Sequence, residues 1–390
     1  MALVCLAALL GACGGSGSPP RTEAVGPSTT AAPSGCTSPA GARLAPAGGG
    51  AYFGVNLDWD HDSTAGLSGR LGHSPALYVA FAPFPLDQTA GGFVDGIVSG
   101  LAGQHQALML TLEPNGGLDA VTDESAADLA GRLAGYNRQG VPVFLRFAHE
   151  MNGSWYPWGQ SPERYVAAFR TVAAAVHRAA PATATVWAPS YGGGYPFAGG
   201  RYQAAAGTPA FAALDTNHDG VLTMADDAYA PYYPGDDAVD WVGMSLYHWG
   251  AHYPWGDNTV PEPGKFAAML TGEYHGTVGD ETAVPDFYGT WAGDHHKPVA
   301  ITETAAFFAP GRPGDEAAIK QGWWSQVFDA STFTRFPKLA MVNWFEWDKY
   351  EAEVKAPVSW AVTRRPELAT AFAAALPAQL RWAGAVPDCK

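Results

Sequence analysis

Two glutamates carry the first sign of chemistry. Glu150 lies in LRFAHEMNGSWYPWG (145–159) and Glu303 in KPVAITETA (297–305). Each directly follows an apolar, β-prone run, so each is expected where a buried strand ends and meets a cleft. Two carboxyl groups flanking a glycosidic bond are what its hydrolysis needs. One protonates the leaving oxygen; the other attacks the anomeric carbon or activates water. The acid must have a raised pKa, which an apolar, aromatic wall supplies by desolvation. Trp155 and Trp158 stand close to Glu150 in sequence, and such rings suit flat, amphipathic ligands such as sugars. The bland alternatives stay open: a rim ion pair for the glutamates, loop packing for the tryptophans. Glu113 in Glu-Pro-Asn and Asp58 and Asp60 read as loop-ordering acids, and His295 and His296 as a solvated surface.

A second constellation is DTNHDGVLTMAD (215–226). Asp215, Asn217 and Asp219 occupy positions 1, 3 and 5 of a calcium loop. Gly220 sits at the sharp turn, Val221 offers a backbone carbonyl at 7, and Thr223 stands at 9. Position 12 is Asp226 where a bidentate Glu is usual, and Asp227 follows it. A structural Ca²⁺ is expected here, pinning a connection of about 50 residues. The alternative is an Asp-rich surface turn.

The elements that would position these groups are strands at 51–57, 76–82, 107–113, 141–148, 184–189, 240–246, 297–303 and 339–346. Each is almost wholly apolar, as strands buried on both faces of a parallel sheet are. Helices are predicted between them. In 161–180, Ser161 is placed to cap, Pro162 suits the first turn, and Val166, Phe169, Val172 and Val176 share a face. In 123–139, Leu129, Leu133 and Tyr136 align before Gly140; in 315–330, Ile319, Trp323 and Val327 do. Eight strands with interleaved helices predict a (β/α)₈ TIM barrel, whose chemistry sits at the C-terminal strand ends. The runner-up, an open doubly wound sheet, lacks support from a Gly-rich phosphate loop after the first strand. The predicted strand ends are polar or aromatic: Asp58, Trp59 and Asp60, then Glu113, His149 and Glu150, Tyr247 and His248, Glu303, and finally Glu346 and Trp347.

The chain has 390 residues, 47% apolar and 12% aromatic, enough for one large barrel. Only 15% are charged, and the net charge is −15. An acidic, charge-poor chain is a weak partner for nucleic acid and gives no attraction to anionic glycans. Residues 1–12 form an apolar run too short to span a bilayer, read as a secretory signal. Leu10-Gly11-Ala12-Cys13 resembles a bacterial lipobox, which implies lipidation at Cys13, a membrane anchor and an extracellular or cell-surface protein. Residues 14–50 read as a Gly/Pro/Ser-rich tether, with the hydrolase domain over 51–390 and the calcium loop inserted near 215–227. Outside the cytoplasm, Cys36 and Cys389 are expected to pair and staple the edges of the folded region. A monomer is expected.

The segment Arg146, His149, Glu150, Met151, Asn152, Gly153 resembles the fourth-strand motif of glycoside hydrolase family 26, and Trp155 to Gly159 continues it. YYPGDDAVDWVGMSLY (232–247) is similar to that family's approach to its sixth strand, and Thr302-Glu303-Thr304 to its nucleophile segment. The resemblance spans roughly 50–370. The family's best-known members are endo-β-1,4-mannanases; others cut mixed-linkage β-glucan or β-1,3-xylan. The resemblance implies Glu150 as acid/base, Glu303 as nucleophile, and retention of configuration with carboxyls roughly 5–5.5 Å apart. It also implies that Arg146 and His149 orient the acid and sugar hydroxyls, and that Tyr247 hydrogen-bonds the nucleophile. Trp344 would be the platform under the cleaved sugar, with Trp347 competing for that place, while Asn152, Trp155 and Trp158 shape the cleft. No metal is needed for the reaction itself. Two other classes stay in view: a hydrolase of cell-envelope glycan, and a barrel that binds sugar without turnover.

Overall fold

The structure is a computed structural model describing residues 36, 42–251, 255–276 and 284–387. The described residues all lie within one compact unit, Ser34–Lys390. The signal segment, Cys13 and Cys389 lie outside the described residues.

Eight strands form the barrel: β1 (Ala51–Leu57), β2 (Leu77–Pro83), β3 (Ala107–Glu113), β4 (Val143–Phe147), β5 (Thr183–Trp187), β6 (Trp241–Ser245), β7 (Val299–Thr304) and β8 (Leu339–Glu346). All pair in parallel in chain order, and β8 closes on β1 from Tyr52↔Met341 to Leu57↔Glu346. This is the closed (β/α)₈ barrel the sequence predicts. Three strands match their expected bounds and the rest shift by one or two residues. A near-continuous apolar run leaves the strand end to be set by its neighbours.

Helices α1 (Thr64–Leu71), α2 (Gln88–Leu101), α3 (Asp123–Arg138), α4 (Pro162–Ala179), α5 (Pro209–Leu214), α6 (Lys265–Leu270), α7 (Glu316–Val327), α8 (Ala330–Arg335) and α9 (Pro366–Ala375) surround the strands. Their buried faces carry the expected residues, Leu129, Leu133 and Tyr136 on α3 and Ile319, Trp323 and Val327 on α7. On α4, Phe169, Val172 and Val176 are buried, while Tyr165 takes the place expected of Val166. Ser161 stands at the α4 N-cap without a capping hydrogen bond from its side chain, because its backbone is not in the extended conformation that aims the hydroxyl at the first turn. After β8 a short hairpin of β9 (Lys349–Glu351) and β10 (Ala356–Val358) rises beside the mouth, and β11 (Leu380–Arg381) ends against β1.

The barrel interior is filled by Met109, Phe144, Val186, Trp241, Ala300 and Met341. Its foot is sealed by the segment expected to be tether. Leu44 is fully buried in that interior cluster. Tyr52 donates to its carbonyl at 3.1 Å, Trp241 to the carbonyl of Arg43 at 2.6 Å, and Arg43 to that of Pro181 at 3.1 Å. Arg43 and Leu44 are thus part of the folded unit rather than of a tether running to residue 50. One plugging Leu has no periodicity to betray it. Cys36 is buried and disulfide-bonded.

The long β5–β6 connection carries the 215–226 loop. The Asp215 carboxylate accepts from the N–H groups of Asp219 and Gly220, both at 3.0 Å, and Gly220 has φ +85°. Asp226 accepts from the N–H groups of Thr216 and Thr223, both at 2.8 Å.

Candidate active site

β4 and the turn after it build one half of the site. Arg146 is fully buried on β4, facing the barrel interior where no water can solvate it. It needs an anion, and Nη1 finds the Glu303 carboxylate from β7, while Nη2 donates to Ser245 Oγ at 2.7 Å. Tyr247 donates to the other Glu303 oxygen at 2.7 Å. Burial, and then the charge of Glu303, push the Tyr247 phenol well above its usual range, so it stays a donor. Glu303 thereby takes one donor on each oxygen.

Glu150 does not sit on a strand. Ala148 and Glu150 both have positive φ, +48° and +53°. Such left-handed non-glycine residues are costly and persist only where surroundings enforce them. Here Ala148 N–H bonds Leu112 and Glu150 N–H bonds Ala188, both at 2.9 Å, which ties the turn to the strands on either side. Trp158 is buried beneath and donates to the His149 carbonyl at 2.7 Å; Asn152 exchanges two hydrogen bonds with the Ser190 backbone at 2.8 and 2.9 Å. These two expected cleft residues hold the turn from behind. Trp155 reaches over the front, 37% exposed, and its indole N–H donates to Glu150 at 3.1 Å.

Glu150 and Glu303 line one cavity of about 570 Å³ at the C-terminal mouth. Burial first, and then the negative Glu303, raise the Glu150 carboxyl to about 7. That is the state of a general acid: protonated below neutrality and able to give its proton up. His149 also lines the cavity, packed on Phe81, Tyr156 and Trp158 at 4.9–5.8 Å. Burial and the neighbouring Arg146 charge keep its imidazole neutral, far below its usual range.

The platform expectation needs correcting. Trp344 is buried against Phe328 and Phe372, at 5.9 and 5.0 Å, on the helix side of β8. Strand alternation puts Phe345 and Trp347 on the cavity instead. Glu346 likewise turns from the mouth, accepting from the backbone of Val362 and Thr363 at 3.0 and 2.7 Å. Asp58 pairs with Arg364 at 2.7 Å, in the ordering role expected of it. Glu113, by contrast, lines the cavity, its carboxyl raised by burial and then by Glu303.

Sequence reasoning missed Ser245, Tyr156, Trp249, Trp255, Lys349 and Trp360, which also line the cavity. Ser245 and Trp249 stand two residues on either side of Tyr247, so strand phase could have found them. Trp360 arrives from beyond the β9–β10 hairpin, which no local signal announces. Among the described residues no group of three or more His, Cys, Asp or Glu could hold a metal, and no helix is long and apolar enough to cross a membrane.

Residues 111–202, which hold Glu150 and its turn, match the model of glycosyl hydrolase family 26. Endoglucanase H of Acetivibrio thermocellus is 24% identical over 285 residues, 69% of this chain; the chain spans 24% of that protein's length. In structure the chain resembles an endo-β-1,4-mannanase of Cellulomonas fimi, solved as a double mutant, with TM-score 0.50 and 15% identity over 86% of this chain and 72% of that one. A mannanase of Bacillus subtilis gives TM-score 0.45 and 16% identity over 86% and 88%. With two glutamates facing one cavity on a closed barrel, the chain is similar to glycosyl hydrolase family 26 over the segment that carries Glu150.

Proposed function

We propose that the protein is a retaining endo-β-glycosidase of β-linked polysaccharide, with β-1,4-mannan as first substrate. One observation carries the reading: two carboxyls on one cavity sit in opposite surroundings. Glu303 accepts from Arg146 and Tyr247, while burial and the like charge of Glu303 raise Glu150 to about 7. Glu303 attacks the anomeric carbon as Glu150 passes its proton to the leaving oxygen and the glycosidic bond breaks. Glu150, now ionised, takes a proton from water as the water attacks the same carbon and frees Glu303. Trp155 and Tyr156 on one wall, and Phe345 and Trp347 on the other, offer faces for neutral sugar rings.

β-Glucan is the second reading, favoured by the 24% identity to a protein named endoglucanase. Reducing-sugar release from mannan, galactomannan, lichenan, β-1,3-xylan and cell-envelope glycan tests both. Glu303→Gln, which keeps partners for Arg146 and Tyr247, serves as control. Release from mannan that the substitution abolishes is the expected result. Release from lichenan alone selects glucan, and binding without release would leave a sugar-binding barrel.

We propose Ca²⁺ as a structural ion of the 215–226 loop, with Asp215, Asn217, Asp219, Val221 and Thr223 as donors. Spacing and the Gly220 turn support it. Asp226 fits only if it releases backbone N–H groups it now accepts from. Export, lipidation at Cys13, a Cys36–Cys389 disulfide and a monomeric state complete the proposal, supported by the composition of residues 1–50 and the buried, bonded Cys36.

A further inference from the structure

The cavity wall between β6 and β8 is assembled from two connections. The β6–α6 connection places Trp249 and Trp255 on the cavity, and the β9–β10 hairpin places Glu353 and Val354 there. The two meet at a seam. Gly256 has φ +100°, and a Cβ built on it would stand 2.3 Å from Val354 Cγ1. The valine side chain thus fills the place where any other residue would carry its own. Arg312, from the β7–α7 connection, fastens the seam. Its Nη1 donates to the Gly256 carbonyl at 2.7 Å and its Nη2 to the Val354 carbonyl at 2.9 Å. A planar guanidinium can span two acceptors in this way.

The two sides of the seam differ in their other supports. In the β6–α6 connection, the Gly256 N–H donates to the Trp249 carbonyl at 2.6 Å, and Asn258 exchanges two hydrogen bonds with the Ala309 backbone at 3.0 and 2.8 Å. The base of the hairpin is tied as well, the Ser359 N–H donating to the Phe308 carbonyl at 2.8 Å. The hairpin tip, 352–355, is not. Among the described residues, the bond from Arg312 is the one hydrogen bond that joins the tip to another part of the chain.

We propose that Arg312 is a positioning residue that sets substrate choice. By locking the hairpin tip onto the β6–α6 connection it seals this wall, so that the cavity takes an unbranched glycan and turns away a chain whose side branch points at the seam. The inference rests on the glycosidase reading above. A branch sugar needs a gap to leave by, and a seam in which one added methyl overlaps Val354 offers none. Without Arg312 the tip loses its tie, moves away from Gly256 and opens the seam. Arg312 does not line the cavity, so its loss leaves the two glutamates and their chemistry in place.

The test measures kcat/KM of full-length wild type, Arg312→Ala, Arg312→Lys and Val354→Ala on unbranched mannan and on galactomannan, with 2,4-dinitrophenyl β-mannobioside as a control too short to reach past the wall. Where the polymer assay selects glucan, lichenan, a branched β-glucan and the β-cellobioside replace them. The quantity read is the ratio of kcat/KM on the branched polymer to that on the unbranched one. Arg312→Ala is expected to raise this ratio about fivefold while kcat on the aryl glycoside stays within about twofold of wild type. Val354→Ala, which trims the seam and keeps the arginine, is expected to raise the ratio in the same direction. Arg312→Lys, whose single ammonium cannot span both carbonyls as the fork does, should raise it less. An unmoved ratio in either alanine variant overturns the proposal. So does a parallel loss on both polymers, which an arginine that merely supported the fold would give, and so does a wild type that already prefers the branched chain. A wild type silent on every polymer and aryl glycoside overturns the glycosidase reading instead, so the two failures are told apart.

Discussion

At the foot of the barrel Arg43 stands 3.6 Å from Asp240; at the mouth Arg146 holds Glu303. The foot is finished. Asp240 also takes His177 Nε2 at 2.9 Å, the Thr185 N–H at 2.8 Å and the Thr185 hydroxyl at 3.1 Å, and Leu44 seals the end below. Burial alone would raise the Asp240 carboxyl, but the His177 bond and the charges of His177 and Arg43 take it below its usual range. The mouth is left open. Glu150 meets burial and a like charge and is raised to about 7, with a cavity in front of it. The same residue types therefore do opposite work. A carboxylate taken up by donors and a cation of the protein holds the fold, and one left facing a cavity, in a costly protonation state, is available to a substrate.

The sharpest way to break this contrast is at Glu150. Glu150→Ala is expected to lower kcat/KM on polysaccharide by about 10²–10⁴-fold, and much less on a dinitrophenyl glycoside, which needs no acid. Because the Glu150 carboxyl is raised, its proton is present below about pH 7 and lost above it. Wild-type kcat/KM on polysaccharide should thus fall as pH rises through about 7, and the Glu150→Ala profile should lack that limb. Equal losses on both substrates would remove the acid/base assignment.

The next effect separates the two tryptophans of β8. Trp344→Ala empties a buried site in the helix layer and should cost about 3–5 kcal/mol of stability by denaturant titration. Trp347→Ala should leave the denaturation midpoint nearly in place and raise KM. The reverse pattern would return Trp344 to the cleft.

At the foot, Asp240→Asn should cost about 2 kcal/mol by weakening charge-assisted bonds, with kcat/KM of the folded enzyme unchanged. Asp240 has a depressed pKa, so its contribution is present above its unfolded value near 4 and lost as pH falls below it. The stability gap between wild type and variant should accordingly close in acid. A gap that persists there would mean that Asp240 acts by packing rather than by charge.

The smallest expected change concerns the 215–226 loop. Excess chelator should lower Tm by a few degrees (about 1 kcal/mol) and Ca²⁺ should restore it. An unmoved Tm would mean that the backbone bonds to Asp215 and Asp226 suffice on their own.

The order of elements and the two glutamates were legible because both signals are local. Apolar runs of strand length at regular intervals dictate a buried parallel sheet, and Glu303 sits in such a run, on β7 itself. Glu150 was legible as a residue after a strand. Its aim was not, since it depends on left-handed backbone at Ala148 and Glu150 that Leu112 and Ala188 enforce from neighbouring strands. Trp158 and Asn152 were legible as members of the site's segment, but not as its buried supports.

Strand period, helix faces and the chemistry of the carboxyl pair were therefore fixed by residue type and spacing alone, because hydrophobic periodicity and side-chain chemistry act within a few residues. The inward phase of β8, which trades Trp344 for Trp347, the Leu44 plug, and the pairing of Arg146 with Glu303 and Ser245 were decided only when distant strands met. Whether a side chain faces a cavity or a helix, and whether its charge is paired or left open, is set by what arrives opposite it from elsewhere in the chain.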